Sequence, residues 1–269
     1  MNLGGNGRKR KHFFVSFTPV ARHNRRVTIT IGAFLNALGI LLGGLFGLLR
    51  RRPLSTRAQI FFRNAIGAAA VFFALRLVWL SVNGTVLSCL KQLGLALLAV
   101  LLGNLLGRWF RLQKLSNRLG RHATRLLSSA ETNSPHKTAD GFSACTILFW
   151  AAPLGLLGAV TDGLSGYFYL LAVKAVMDGL AMTTFVKAFR WPVALSAIPV
   201  LILLGAVTLA CRFYARPFLE ERQLLDSVNA AAGLAACAVA PVIFEIRKVE
   251  LANLLPALIV APVLAWLLG

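Results

Sequence analysis

The apolar positions along this chain fall into long, nearly unbroken runs. They show neither the strict alternation of a half-buried strand nor the single stripe of a soluble surface helix. Eight runs stand out, at residues 27–49, 60–81, 86–110, 142–160, 167–186, 191–211, 225–244 and 251–268. A helix needs about 20 apolar residues to cross the hydrocarbon core of a bilayer. The pattern therefore predicts an all-α fold, a polytopic transmembrane helix bundle of seven or eight membrane helices. Little sequence is left for a separate soluble domain, so residues 27–269 read as a single integral membrane domain.

Small residues and prolines give these runs individual character. In the first, Gly39, Gly43 and Gly47 recur every four residues and lay a smooth strip along one helix face, with Asn36 at its upper end. Such strips let another backbone approach closely in a membrane. The third run carries Leu101-Leu102-Gly103-Asn104-Leu105-Leu106-Gly107, which matches Leu41–Gly47 at five of seven positions. Either the chain holds the remnant of a parallel internal repeat, or two glycine-rich helix ends look alike. Packing is expected of Gly39, Gly43, Gly47, Gly103 and Gly107. The fourth run is interrupted by Pro153, with Gly155 and Gly158 nearby, and the Asp162-Gly163 pair suggests a turn before the fifth. Between the third and fourth runs, leucines at positions 112, 115, 119 and 126 recur at helical spacing among arginines. That is the mark of a basic amphipathic helix lying on an anionic leaflet.

Composition changes this picture little: 57 % of residues are apolar and the mean hydropathy is +0.71. The net charge of +20 would suit nucleic acid, but the basic residues sit mostly between apolar runs. That distribution is topological, and no nucleic-acid partner is expected. If the loops after helices one, three, five and seven share a side, they hold fifteen basic residues and the opposite loops hold three. This places the four loops inside and both termini outside. The tail at residues 1–26 carries seven basic residues and opposes that orientation. It reads as disordered, without a cleaved signal peptide, and the conflict disappears if the native product starts near Val27.

Cys89, Cys145, Cys211 and Cys237 lie in or beside apolar runs with no paired spacing, so they read as small core residues. The four histidines lie in tails and loops. No metal site and no cofactor is expected. A nucleotide loop, paired catalytic carboxylates and a Ser-His dyad are all missing from the sequence, which argues against an enzyme.

The candidate chemistry lies in the fifth helix, where Lys174 and Asp178 are four residues apart and share a face. Entering near Tyr167, the helix carries Asp178 roughly 16 Å into the bilayer, near its midplane. A carboxylate there must be neutral, paired or wetted. Lys174 is the obvious partner. The pair is either a self-neutralised packing device or a coupling site where Asp178 exchanges a proton or cation. Asp162, at the outer mouth, is either turn chemistry or part of the route. Asn36, Asn104 and Asn253 are the polar helpers of a route. A break at Pro153 is either a packing kink or the exposed backbone of a transporter's discontinuous helix.

Four stretches resemble a known family: Gly32–Gly44, Ala152–Gly166, Lys174–Gly179 and Glu245–Leu258. The chain resembles, over about residues 28–268, the bacterial membrane proteins catalogued as domain of unknown function 554, the YdfK/YqgA-like group. Members of that group begin close to the first helix. The chain departs from them at Pro241-Val242-Ile243-Phe244, which argues against a polar role for helix seven. The resemblance implies a multi-pass protein of the bacterial inner membrane without an assigned activity. From the residues, the expected function is passage of a small solute or ion through the bundle. The alternative is a non-transporting scaffold or regulatory partner that binds other helices or anionic lipid. The bilayer is the expected partner, and homo-oligomerisation stays open.

Overall fold

A computed structural model describes residues 31–50, 55–131 and 137–268. The basic tail, with the expectations of disorder and a later start, lies outside these residues, as do Arg51 and Arg52. Among the described residues all regular structure is helical. The first helices are α1 (Ile31–Leu49), α2 (Thr56–Leu80) and α3 (Val86–Trp109). Next come the amphipathic α4 (Leu112–Glu131), α5 (Lys137–Trp150), α6 (Pro153–Ser165) and α7 (Tyr169–Phe189). A 3-10 turn (Trp191–Ser196) leads into α8 (Ala197–Ala210), and a π turn (Cys211–Ala215) into α9 (Arg216–Glu221). The chain closes with α10 (Leu225–Cys237), α11 (Ala240–Ile243), a 3-10 turn (Leu251–Leu254) and α12 (Ala257–Leu268).

Seven of these helical stretches are long and apolar enough to cross a membrane, or eight if α5 and α6 together make one span. The chain is a multi-helix membrane protein. Large apolar side chains such as Phe34, Phe61, Phe72 and Leu101 point outward, as expected where the surrounding solvent is hydrocarbon.

Helices α5 and α6 meet at 56°. Pro153 sits in the first turn of α6, where its missing N–H is no loss. The sequence expectation of a break therefore holds, and it lies where α6 begins. Asp162 is not in a turn but in the last turn of α6, which ends one residue before Gly166 in the left-handed conformation, φ 70°.

The glycine strip of α1 packs along α7 with the two helices parallel. A Cβ on Gly39 would lie 2.5 Å from the Ala175 carbonyl oxygen, one on Gly43 would overlap the Gly179 carbonyl, and one on Gly47 would meet Thr183 at 2.7 Å. The strip on α7 is equally small: Ala175, Gly179, Thr183. Gly103 and Gly107 do the same work in the opposite sense, since Gly103 abuts Ala257 and Gly107 abuts Asn253, which comes earlier in the chain. The two similar segments thus meet partners running in opposite directions, which favours two like helix ends over a parallel repeat.

Helix α4 buries Ala123 and turns its basic residues outward, packing against α5. The ends of spans one, five and seven, with the start of α2, surround one cavity, lined by Arg50, Arg63, Lys187 and Glu245 among others. Arg108 at the end of α3 pairs with Glu250 at 3.6 Å. The basic connections therefore gather at one end of the bundle.

Candidate functional site

Helix α7 runs through the interior of the bundle, with α1, α2, α5 and α6 around it. Apart from Tyr169 at its start and Lys187 in its last turn, its sequence is apolar except at Lys174, Asp178, Thr183 and Thr184, so burying its middle brings Lys174 and Asp178 into the interior. Lys174 is 2 % exposed and Asp178 7 %. Lys174 Nζ donates to Asp178 Oδ2 at 2.5 Å. The aliphatic stem of Lys174 lies against Gly155 of α6, where a Cβ would come within 2.7 Å of Cε. Its ammonium stands 6.0 Å from the centre of the Phe149 ring, within range of a weak cation–π attraction.

Asn36 of α1 completes the group. Its residue is 0 % exposed, and its amide faces the Asp178 carboxylate. Neither its amide nitrogen nor its oxygen meets a partner at hydrogen-bond geometry. An unsatisfied buried amide costs about 1–3 kcal/mol. The three residues come from two helices held in fixed register by the glycine strip, since Asn36 lies one turn above Gly39 and Asp178 precedes Gly179.

Asp162 stands one turn further along α1. It is 4 % exposed, and its Oδ2 accepts from the Gly32 backbone N–H at 3.0 Å. A carboxylate at a helix N-terminus satisfies an otherwise orphaned donor and complements the helix dipole. Asp162 thus tethers α6 to the start of α1, 130 residues earlier in the chain.

Asn253 and Asn104 belong elsewhere. Asn253 is 2 % exposed. Its Oδ1 accepts from the Gln113 backbone N–H at 3.0 Å, and its amide donates to Glu250 Oε2 at 2.7 Å. Gln113 Oε1 in turn accepts from the Ala252 N–H at 3.1 Å. Asn253 therefore fastens the start of α4 to the 3-10 turn, and both its polar ends are used. Asn104 is half-buried on α3, next to the Gly103 contact with α12. The structure gathers Asn36, Lys174 and Asp178, sets Asp162 one turn away, and leaves Asn104 and Asn253 on a separate helix pair.

Two polar residues carried no weight in the sequence reading. Asn229 of α10 is buried and accepts from Ser165 Oγ at 3.3 Å. The signal was present, because an asparagine inside an otherwise small and apolar helix needs a partner. Tyr167 donates its hydroxyl to the Phe73 carbonyl at 2.6 Å and pins the α6–α7 connection to α2. Arg76 lies over the Tyr169 ring at 4.9 Å, and Arg63 pairs with Glu245. The described cysteines are free thiols.

Residues 31–266 match the family described as "Protein of unknown function (DUF554)". The chain belongs to this family. It is 29 % identical over 241 residues to the Escherichia coli K12 protein described as "Uncharacterized protein YqgA", covering 88 % of this chain and 98 % of that one. It is 22 % identical over 237 residues to the Bacillus subtilis 168 protein described as "Uncharacterized membrane protein YdfK", covering 88 % and 96 %. No solved structure matches. The match begins at Ile31, the first residue of α1, and includes every residue of the Asn36–Lys174–Asp178 group.

Proposed function

We propose that this protein is a multi-pass protein of the bacterial inner membrane that passes a small solute or ion through its helix bundle, with Asp178 as the coupling group. The observation that carries this reading is the ion pair of Lys174 and Asp178 sealed inside α7 beside the unpartnered amide of Asn36. A buried ion pair is a poor stabilising device, because desolvation offsets its Coulomb attraction and apolar side chains of similar size do as well or better. Inside a membrane, such groups mark proton relays and ion paths.

The chemistry follows from the three side chains. With the pair closed, Lys174 holds the Asp178 carboxylate, and the two charges cancel. Protonation of Asp178, or a cation arriving at its carboxylate, releases the ammonium. The Asn36 amide can then donate to the carboxylate or accept from its protonated form. The Lys174 stem moves against Gly155, at the break between α5 and α6, so the charge state of the pair is coupled to a bent span. Asp162 keeps α6 anchored to α1 during this motion. The test is flux in reconstituted vesicles, followed with an internal pH dye under imposed gradients of sodium, potassium, chloride and short-chain carboxylates. The intact protein moves protons with at least one gradient, and Asp178→Asn does not while remaining folded. Equal flux from the variant removes Asp178 from the mechanism.

The tight contact between Gly43 and Gly179 favours a second reading. It closes α1 on α7 one residue from Asp178, as a non-transporting scaffold would require. In that reading the pair only fixes packing, and no gradient drives flux.

A further inference from the structure

A cavity of about 770 Å³ opens at the basic end of the bundle, between α1, α2, α7 and α11. Its outer half is polar: Arg50, Lys187, Arg63, Thr56, Thr184 and Glu245. Its inner half is apolar, reaching Ile66, Leu180 and Met177. From Lys187 to Met177 is ten residues of α7, a depth of roughly 15 Å at the helical rise, and Met177 immediately precedes Asp178.

We infer that this cavity binds a small organic anion, with its carboxylate or phosphate among Arg50, Arg63 and Lys187 and its apolar body against Met177 and Leu180. Three observations carry the inference. The described lining holds three cationic side chains and one carboxylate, and that carboxylate, Glu245, is already paired with Arg63. Arg63 lines the cavity and keeps 35 % of its side-chain surface exposed while paired with Glu245, so its guanidinium is within reach of an occupant. The amino end of α2 lines the same cavity through Thr56 and Gln59, adding the positive end of a 25-residue helix. The volume is that of a small-molecule site, mostly apolar with a few convergent polar groups. A plain ring of basic residues at a membrane surface would not enclose a cavity or reach the depth of Met177.

The inference names the solute class of the proposed passage and rests on that reading. The test uses the full chain carrying Thr184→Cys, an exposed position in the lining, in vesicles of phosphatidylcholine. The rate of thiol labelling by a neutral maleimide is measured, with the unsubstituted chain giving the background of the native cysteines. Saturating hexanoate or phenyl phosphate slows labelling about tenfold, as occupancy by mass action requires, and hexanol does not. Adding Arg50→Gln or Lys187→Gln abolishes the slowing. Equal protection by hexanol, or none from either anion, overturns the inference. So does protection by phosphatidylglycerol in the vesicle with nothing added by hexanoate, since the occupant is then a lipid. Protection without flux of any anion keeps the site and removes the passage. Flux untouched by Arg50→Gln and Lys187→Gln, with no protection, keeps the passage and removes the site.

Discussion

Gly43 of α1 and Gly179 of α7 meet backbone to backbone, so closely that a methyl group on Gly43 would overlap the Gly179 carbonyl. The contact is reciprocal along the strip, because a Cβ on Gly179 would lie 2.6 Å from the Gly39 carbonyl oxygen. Close approach of this kind replaces the hydrophobic effect, which does not operate between helices in lipid, with dispersion and weak Cα–H···O contacts.

Gly43→Ala should therefore destabilise the bundle by about 1–3 kcal/mol, the usual cost of overpacking, despite the better helix propensity of alanine. Thermal unfolding in detergent measures this. Gly94→Ala is the control, since a Cβ there would meet nothing within 4 Å, and it should leave the transition unchanged or raise it slightly. A Gly43→Ala protein as stable as the control would mean that the two helices are not in this register.

Lys174 and Asp178 call for a double-mutant cycle. Lys174→Met or Asp178→Leu alone leaves an uncompensated buried charge and should cost about 3–5 kcal/mol. The double variant should recover most of that stability, because apolar side chains pack well in the same space. Recovery of folding without flux separates a working pair from a packing device. Recovery of both would assign the pair to packing alone.

Removal of the Asp162 carboxylate should loosen the start of α1. Asp162→Ala leaves the Gly32 N–H without its acceptor and should cost about 0.5–2 kcal/mol, as loss of a helix cap does. Asp162→Asn keeps an oxygen at the same place and should cost less. Hydrogen exchange in the first turn of α1 reads the difference: exchange there rises in Asp162→Ala and hardly changes in Asp162→Asn.

Asn253→Ala should free the amphipathic helix. It removes the acceptor for Gln113 N–H and the donor to Glu250, so exchange and proteolysis should increase at the start of α4. Flux should stay at the level of the intact protein, because Asn253 lies away from the Lys174–Asp178 pair. A loss of flux with α4 still protected would return Asn253 to the path.

The asparagines show how far the sequence could be read. Asn36, Asn104 and Asn253 look alike in sequence, each a polar residue within an apolar run. One faces Asp178 unpartnered, one lies half-buried beside α12, and one clamps a connecting helix. Helical periodicity gives the face a residue occupies on its own helix, but not the helix that face meets. The glycines behave the same way. Their spacing announced close contacts, yet nothing local reveals that Gly43 meets Gly179 in parallel while Gly107 meets Asn253 in antiparallel.

The sequence by itself determined the solvent and the elements. Long apolar runs bounded by arginines can only be satisfied as helices in lipid, where each backbone group bonds within its own segment. It also determined that Lys174 and Asp178 share a face, because four residues make about one turn. Tertiary structure alone decided that Asn36 joins that pair, that Asp162 reaches Gly32, and that the ends of spans one, five and seven meet around one cavity. Those pairings join residues up to 130 positions and more apart, and they are fixed by which smooth helix faces fit one another, a property of assembled surfaces.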